Sequence, residues 1–471
     1  MRSRLDLIGR SGQDELLSIR NDLMTVYREI SADDDRLFPL RYARAIPRRP
    51  DSARGRGAPS EGTGAGAGGP RRGPEAVAAP QVPVLVIPGG PGTASVLPFD
   101  PLRRSLAARG LDVLMMEHRG VGLSRLDAEG HDLPREAMRV REVIADLVAV
   151  LDHARVDRVA VYGSDYGAYL AQALAALHPE RVHSLVLDSP LTSAEDEKIG
   201  QRSFREAYWE GAVPAISSTA AVLRRLIEDG VVEAHQAGPV VLAVHDHGGP
   251  AAVRDLVDLL VLGRGQLTWN SVRQVLTQGW LQSTPYVIEH DLVSSISHTE
   301  LGRGRYADGG PLDPLALARE QSRGVPAFHG EDLDLHALSR TITAPTLVIS
   351  GALDLISPPP IARDLTMRIP DARLLEISGA GHSMLDSRSQ IAQIAAWWSA
   401  CGTSHLLPGF ASRLAGLPPT ATDQTVTRGL RLALAAERYS PWRLWIESAR
   451  TKRGQAQVDP TARRTRKVRI D

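Results

Sequence analysis

Asp165 stands between Gly163 and Gly167 in the stretch Val159-Ala160-Val161-Tyr162-Gly163-Ser164-Asp165-Tyr166-Gly167-Ala168. The apolar run before it reads as a buried strand, and the run after it as a helix continuing through Leu177. Two glycines four apart fit a strand-to-helix turn so sharp that the middle side chain stands exposed above the sheet. A Cβ at either glycine would clash as the two backbone arms close. A carboxylate at that apex is already a nucleophile at neutral pH. It suits attack on sp³ carbon, displacing an epoxide oxygen or a halide and leaving an alkyl ester. Ser164, one position off the apex, is poorly placed to substitute for it. Two more polar loops follow apolar runs: Gly351-Ala352-Leu353-Asp354 and Gly379-Ala380-Gly381-His382-Ser383.

The elements that must hold these residues follow from the pattern around them. Strands are expected at 82–87, 111–116, 159–162, 182–187, 345–350 and 373–377, with helices at 102–109 and 136–154 and after the elbow. Strands alternating with helices imply an α/β fold: a mostly parallel sheet with helices on both faces. Between 193 and 342 the rhythm stops, and amphipathic segments at 220–228, 252–262, 272–281 and 287–296 suggest an inserted helical lid. The resulting division is 81–192 and 343–402 for the two parts of the core and 193–342 for the lid. Residues 1–50 supply an N-terminal helix or two, spaced by Leu5, Ile8, Leu16, Ile19, Leu23, Val26, Tyr27 and Ile30, and an edge strand at 37–46. The Gly, Pro, Ala and Arg-rich stretch 51–80 reads as a flexible loop. Residues 403–471 form an extension with a helix at 428–436, the pair Trp442 and Trp445, and a solvated basic tail at 450–471.

Composition removes several function classes. The 471 residues carry 55 basic and 55 acidic side chains, so nothing global points to nucleic acid or an anionic membrane. A 43% hydrophobic share supports a sizeable core, and the single cysteine, Cys401, excludes an intrachain disulfide framework. No signal peptide or membrane span is legible, so the expectation is a cytoplasmic protein acting on a small molecule, without nucleic acid or membrane partners. No metal-ligand cluster and no phosphate-cradling loop is present, so neither a cofactor nor a metal is expected. The glycine-rich turn at 89–92 is not a nucleotide site.

The motifs, taken in order, resemble the α/β-hydrolase superfamily, in particular its proline iminopeptidase and tripeptidyl aminopeptidase branch. The resemblance rests on Pro88-Gly89-Gly90-Pro91-Gly92, Glu117-His118-Arg119-Gly120-Val121-Gly122-Leu123-Ser124, the elbow at 162–167, and the loops ending in Asp354 and His382. It implies a triad of Asp165, Asp354 and His382. It also implies an oxyanion hole from the backbone N–H of Tyr166 and of Gly89 or Gly90. Peptidases of the branch carry serine where this chain has Asp165. Aspartate there resembles epoxide hydrolases and haloalkane dehalogenases of the same fold. No halide-clamping tryptophan follows Asp165, where Tyr166 stands, so the epoxide reading is preferred.

In that reading Asp165 forms the ester, and His382, oriented by Asp354, deprotonates the water that resolves it. Asp165 could instead act as a base or orienting group while a nucleophile within a bulky substrate closes the bond, as in a tailoring step of secondary metabolism. The lid tyrosines Tyr208, Tyr286 and Tyr306 are candidate proton donors, with His245, His247, His290, His298 and His329 behind them. Trp209, Trp269 and Trp280 are candidates for an apolar pocket. Asp188 is read as structural, and Glu117 and Arg119 as buttresses of the loop beside the oxyanion hole. Two other readings stay open: a serine-type aminopeptidase or esterase scaffold, and a retired fold that only binds.

Overall fold

The computed structural model describes residues 22–47, 80–281 and 283–439, without side-chain placement for 279–281. Its centre is one eight-stranded sheet: β1 (Leu23–Ser31), β2 (Asp34–Ala45), β3 (Val84–Ile87), β4 (Val113–Met116), β5 (Val159–Ser164), β6 (Val182–Asp188), β7 (Thr346–Gly351) and β8 (Ala372–Ile377). The spatial order is β1-β2-β4-β3-β5-β6-β7-β8. From β4 to β8 every pairing is parallel, whereas β1–β2 and β2–β4 are antiparallel. This is the α/β-hydrolase arrangement.

The inner strands are apolar on both sides because helices cover both faces. One face presents Leu85, Val161, Leu185, Leu187 and Val348 to α2 (Val140–His153), α3 (Tyr166–Leu177) and α9 (Pro359–Arg368). The other presents Val86, Tyr162, Val186, Leu347 and Leu375 to α1 (Asp100–Ala108) and α10 (Ser389–Ala400). Alternation at period two thus decides which helix each side chain meets. Each fully buried Leu or Val stabilises the fold by roughly 1.5–3 kcal/mol before chain entropy is subtracted.

Between β6 and β7 the chain is helical, with α4 (Asp196–Arg205), α5 (Ser217–Glu228), α6 (Ala234–Val261), α7 (Gln266–Leu281) and α8 (Ala316–Gln321). Helix α6 is broken at Gly249, whose φ of 73° and ψ of 179° lie outside the helical region. The insertion has its own core of Phe204, Tyr208, Leu223, Val241, Leu256, Leu260 and Trp269. Helix α11 (Ala421–Tyr439) then returns from the C-terminal side and packs Leu430 and Leu434 into that same core. Glu437 accepts Thr268 N at 2.6 Å, and Arg264 donates to the Arg438 carbonyl at 2.6 Å.

Three sequence expectations are corrected. Residues 23–31 are a strand rather than a helix, paired with 34–43 from Leu23↔Ala43 to Ser31↔Asp34. The segment 37–46 is not at the edge: β2 lies between β1 and β4. Arg119 draws the hairpin in, donating to Ile30 O at 2.8 Å while its guanidinium grips buried Asp146 at 2.6 and 2.7 Å. The third concerns 287–296, expected as a helix. Its backbone is committed elsewhere: Val287 O accepts Ala94 N at 2.9 Å, and Glu289 N donates to Gly92 O at 2.8 Å. Helical backbone begins only at Ser294 and passes into a single wide turn at Ile296–Glu300. The expected helix within 1–21, the loop at 51–79, Trp442, Trp445 and the tail lie outside the described residues.

Candidate active site

The elbow's geometry explains its glycines. A Cβ on Gly163 would lie 2.3 Å from Gly167 O, and one on Gly167 2.0 Å from Ile87 O. The strand–helix junction therefore closes only without side chains at those two positions. At the apex Asp165 adopts φ 52° and ψ −117°, a sparsely populated conformation costing about 1–3 kcal/mol. That cost is met by the packing of β5 and α3, and it turns the carboxylate away from the helix. The Asp165 side chain keeps 31% exposure. It opens into a chamber of about 340 Å³ between the sheet and the helical insertion.

His382 and Asp354 come from the loops after β8 and β7. A Cβ on Gly351 would meet Gly381 O at 2.1 Å, so glycine lets these two loops touch. His382 Nδ1 donates to Asp354 Oδ2 at 3.0 Å, and His382 Nε2 faces Asp165 Oδ1 at 3.9 Å. Asp354 is fully buried, and its other oxygen accepts the N–H groups of Ile356 and Ser357 at 2.9 and 2.8 Å. Burial disfavours the imidazolium of His382. The carboxylates of Asp354, Asp165 and Asp246 outweigh that and hold its pKa well above the ordinary value.

The region assigned to the oxyanion hole borders the same carboxylate. Tyr166 opens α3, so its N–H has no acceptor within the helix. A Cβ on Gly89 would lie 3.4 Å from Asp165 Oδ2, and one on Gly90 3.2 Å from the Tyr166 ring. The Tyr166 hydroxyl lies 3.2 Å from His118 Nε2, and His118 Nδ1 lies 2.6 Å from Arg119 O. Burial pushes His118 down to about 4, so the neutral ring donates through Nδ1 and accepts the tyrosine proton. Glu117 holds the neighbouring loop by accepting Ser95 N and Val96 N, both at 2.8 Å.

Asp188 serves the histidine loop rather than the histidine. It accepts Met384 N at 3.0 Å, Leu385 N at 2.9 Å and the Tyr162 hydroxyl at 2.8 Å, and burial lifts it to about 6. Ser164 is fully buried and bonded to Ser383 Oγ at 2.9 Å, out of the chamber's reach.

The aromatic candidates are corrected as a group, because none of those with described side chains lines the chamber. Tyr208 is buried in the insertion's core, its hydroxyl 2.7 Å from His245 Nδ1. Trp269 and Trp209 pack in that core. Tyr286 packs beside Ala43, Val96 and Leu97. Tyr306 bonds Glu195 at the outer surface, under the Lys198 ammonium. The Trp280 side chain lies outside the described residues. Of the five histidines, only His247 lines the chamber. His245 is buried, with Nε2 2.7 Å from Leu353 O; His298 Nδ1 lies 2.9 Å from Arg303 O. His290 covers Gly92, and His329 is exposed. Apolar positions such as Leu242, Leu276, Leu301 and Ile356 make the pocket instead.

Asp246 was not singled out from sequence. It lines the chamber, and its Oδ1 lies 3.3 Å from His382 N, in contact range of Gly381. Together with His245, which bonds Leu353, it ties α6 to the loops that carry Asp354 and His382. The available signal was His245-Asp246-His247, an ionisable triplet following the apolar run Val240–Val244 of the same helix. Glu197 was also missed: it lines the chamber, accepts Gly304 N at 2.9 Å, and is raised by burial to about 7. Among the described residues no group of three His, Cys, Asp or Glu side chains is arranged to hold a metal ion. No described helix is long and apolar enough to cross a membrane.

Comparison with known proteins agrees with this architecture. The family model described as the alpha/beta hydrolase fold matches residues 82–218. Rhodomycin D methylesterase of Streptomyces sp. strain C5 is 26% identical over 306 residues, covering 64% of this chain and 85% of that protein. Proline iminopeptidase of Neisseria meningitidis serogroup B is 23% identical over 317 residues, covering 65% and 84%. Epoxide hydrolase B of Mycobacterium tuberculosis is 34% identical over 82 residues, 17% of this chain and 22% of that protein. Residues 82–218 thus match the α/β-hydrolase fold by sequence, and the sheet order, the elbow and the order of the motifs agree with that fold across the described core.

Proposed function

We propose that this hydrolase-fold enzyme opens an epoxide on a bulky, mostly apolar small molecule, with Asp165 as nucleophile and His382 moving the protons. One observation carries the reading. A carboxylate occupies the elbow apex, opens into the chamber, and faces at 3.9 Å an imidazole bonded to a buried aspartate. The partial similarity to an epoxide hydrolase supports it, and a natural-product substrate accords with the relative named for rhodomycin D.

The raised pKa of His382 supplies the proton that the lid tyrosines do not. Asp165 attacks one epoxide carbon, the carbon–oxygen bond breaks, and the released oxygen takes the Nε2 proton of the imidazolium. The result is an alkyl ester on Asp165 and a neutral His382, which then removes a proton from water. The water oxygen adds to the ester carbonyl, and the N–H groups of Tyr166 and of Gly89 or Gly90 hold the oxyanion. Collapse expels the second alkoxide, which takes the proton of the new carboxylic acid. Diol leaves, and the starting pair of carboxylate and imidazolium is restored. One histidine thus serves as acid and then as base.

The test is turnover of phenyl glycidyl ether in ¹⁸O-water, followed by mass analysis of the peptide containing Asp165. Label should accumulate in the Asp165 side chain over several turnovers; His382→Ala, in which bulk solvent must protonate the released oxygen, should open the ring slowly and hold the ester as a stable adduct. Diol formation with neither label nor adduct would refute the covalent step and leave Asp165 as a base or orienting group.

A further inference from the structure

Two outer clefts, of about 740 and 510 Å³, adjoin the chamber. The larger shares Pro239, Leu276 and Leu317 with it, and the smaller shares Arg303. The clefts share Arg319 and Arg323 with each other, and Arg273 and Arg305 add to their lining. Several arginines elsewhere sit against carboxylates: Arg119 with Asp146, Arg125 with Asp132 and Asp291, Arg205 with Asp308. Among the described residues, Arg273, Arg305, Arg319 and Arg323 have no carboxylate within ion-pair distance. Arg319 donates to Ala307 O at 3.1 Å, and Arg305 lies over the Phe328 ring at 4.5 Å.

The acids in these clefts do not neutralise them. Asp308 is taken by Arg205, and buried Asp313 by the amides of Asp308, Gly309 and Leu315. Glu320 remains, exposed. Gln321, on the same short helix as Arg319, faces the chamber, and its buried Nε2 has no acceptor among the described residues. Such a donor is costly unless something else accepts from it. The chamber carries Asp165 and Asp246 at its floor, while Asp196 and Glu197 in its wall are engaged by the amides of Thr192, Ser193 and Gly304. The cavity therefore has a charge polarity, with carboxylates at its floor and guanidinium groups at its mouth.

We propose that this mouth binds an anionic group, a carboxylate or a phosphate, on the trailing end of the substrate. The floor repels an anion and the arginines attract it, so the ligand is oriented with its uncharged reactive end toward Asp165. Guanidinium groups suit both anions because each presents paired donors to two oxygens. The proposal rests on the reading that the chamber is the substrate site, but not on the chemistry assigned to Asp165.

Unreactive diols test it separately. We would measure, by calorimetry at low salt, the affinities of 3-phenoxypropane-1,2-diol and of its para-carboxylate and para-phosphate counterparts. The anionic ligands should bind about five- to tenfold more tightly, a gap that salt erodes. The double variant Arg319→Gln/Arg323→Gln, altered only at exposed positions, should keep its melting temperature and lose most of the gap. Equal affinities for charged and uncharged diols would overturn the proposal. So would a gap insensitive to both salt and the double substitution; the wild-type salt series decides if the variant fails to fold. A retained gap with no alkylation of Asp165 by glycidyl ethers would remove the epoxide reading and leave this inference standing. Alkylation without a gap would remove this inference alone.

Discussion

Replacing Asp354 with asparagine removes one charge and almost no volume. In the native protein that charge lies 3.0 Å from His382 Nδ1, with no exposure to solvent. Opposite unit charges about 4 Å apart at an effective dielectric near 20 interact by about 4 kcal/mol, or roughly three powers of ten in rate at 1.4 kcal/mol each. Asn also ceases to enforce the tautomer that donates through Nδ1. The expectation for Asp354→Asn is a fall of about 10³-fold in kcat for phenyl glycidyl ether. Ester hydrolysis, which depends wholly on an oriented base, should slow more than ring opening, which strain relief assists. Rapid-quench mass spectrometry should therefore show an Asp165 adduct that the native enzyme does not accumulate. Turnover within tenfold of native would refute the role of Asp354. Lost turnover without an adduct, in a variant with an unchanged melting temperature, would refute ester formation.

Other outcomes follow from the same geometry. His382→Gln should destabilise the protein most at acidic pH. A histidine whose folded pKa is raised contributes stability fully present below its unfolded value near 6.5 and lost as pH rises through the folded value. A stability gap, read by denaturant midpoints, that widened with rising pH would contradict this. Asp246→Asn keeps an acceptor beside His382 N but removes one of the charges on the imidazole, alongside Asp354 and Asp165; Asp188 and Asp386 also act on it. The limb of the pH–rate profile that reports His382 should move to lower pH, and an unmoved limb would exclude Asp246 from the site's electrostatics. Gly167→Ala places a methyl 2.0 Å from a backbone carbonyl and should cost roughly 3 kcal/mol or more, seen as a large drop in melting temperature. Asp165→Ser tests how much serine machinery survives: new turnover of p-nitrophenyl acetate is expected, and none would show that the oxyanion region does not serve a serine.

The sheet and the meeting of Asp165, Asp354 and His382 were legible because their determinants are local. Short apolar runs ending in glycine-rich loops mark parallel strands, and the loops carry Asp165, Asp354 and His382 to the same edge. The first hairpin was misread because Leu23, Val26, Tyr27 and Ile30 satisfy helical spacing. Most of β1 is only partly buried, so no clean alternation advertised a strand, although Thr25, Val26, Tyr27 and Ile30 are all strand-favouring types. The pocket was misread for a different reason. Aromatic residues were assigned to the substrate, yet the insertion needs a core of its own, and Tyr208 and Trp269 fill it. Which face of an inserted helix turns inward depends on partners distant in sequence. Asp246 and Gln321 could therefore be placed only once those partners were known.

Helix α11 gives the insertion a second attachment. On its sheet side the insertion is fastened by His245 and Asp246 to the two loops that hold the triad. On its far side α11 clasps it through Glu437, Arg438 and Thr427, the last donating to the His247 carbonyl. A cap bolted on both sides does not swing like a flap. Lifting it would pull apart the bonds beside Asp354 and His382, so their present alignment and an open roof exclude each other. Traffic is then expected to pass through a standing doorway, with the width of that doorway acting as a size filter. Shortening the chain before residue 421 should loosen the roof, admit wider molecules and blunt the filter, while leaving the triad's own residues untouched.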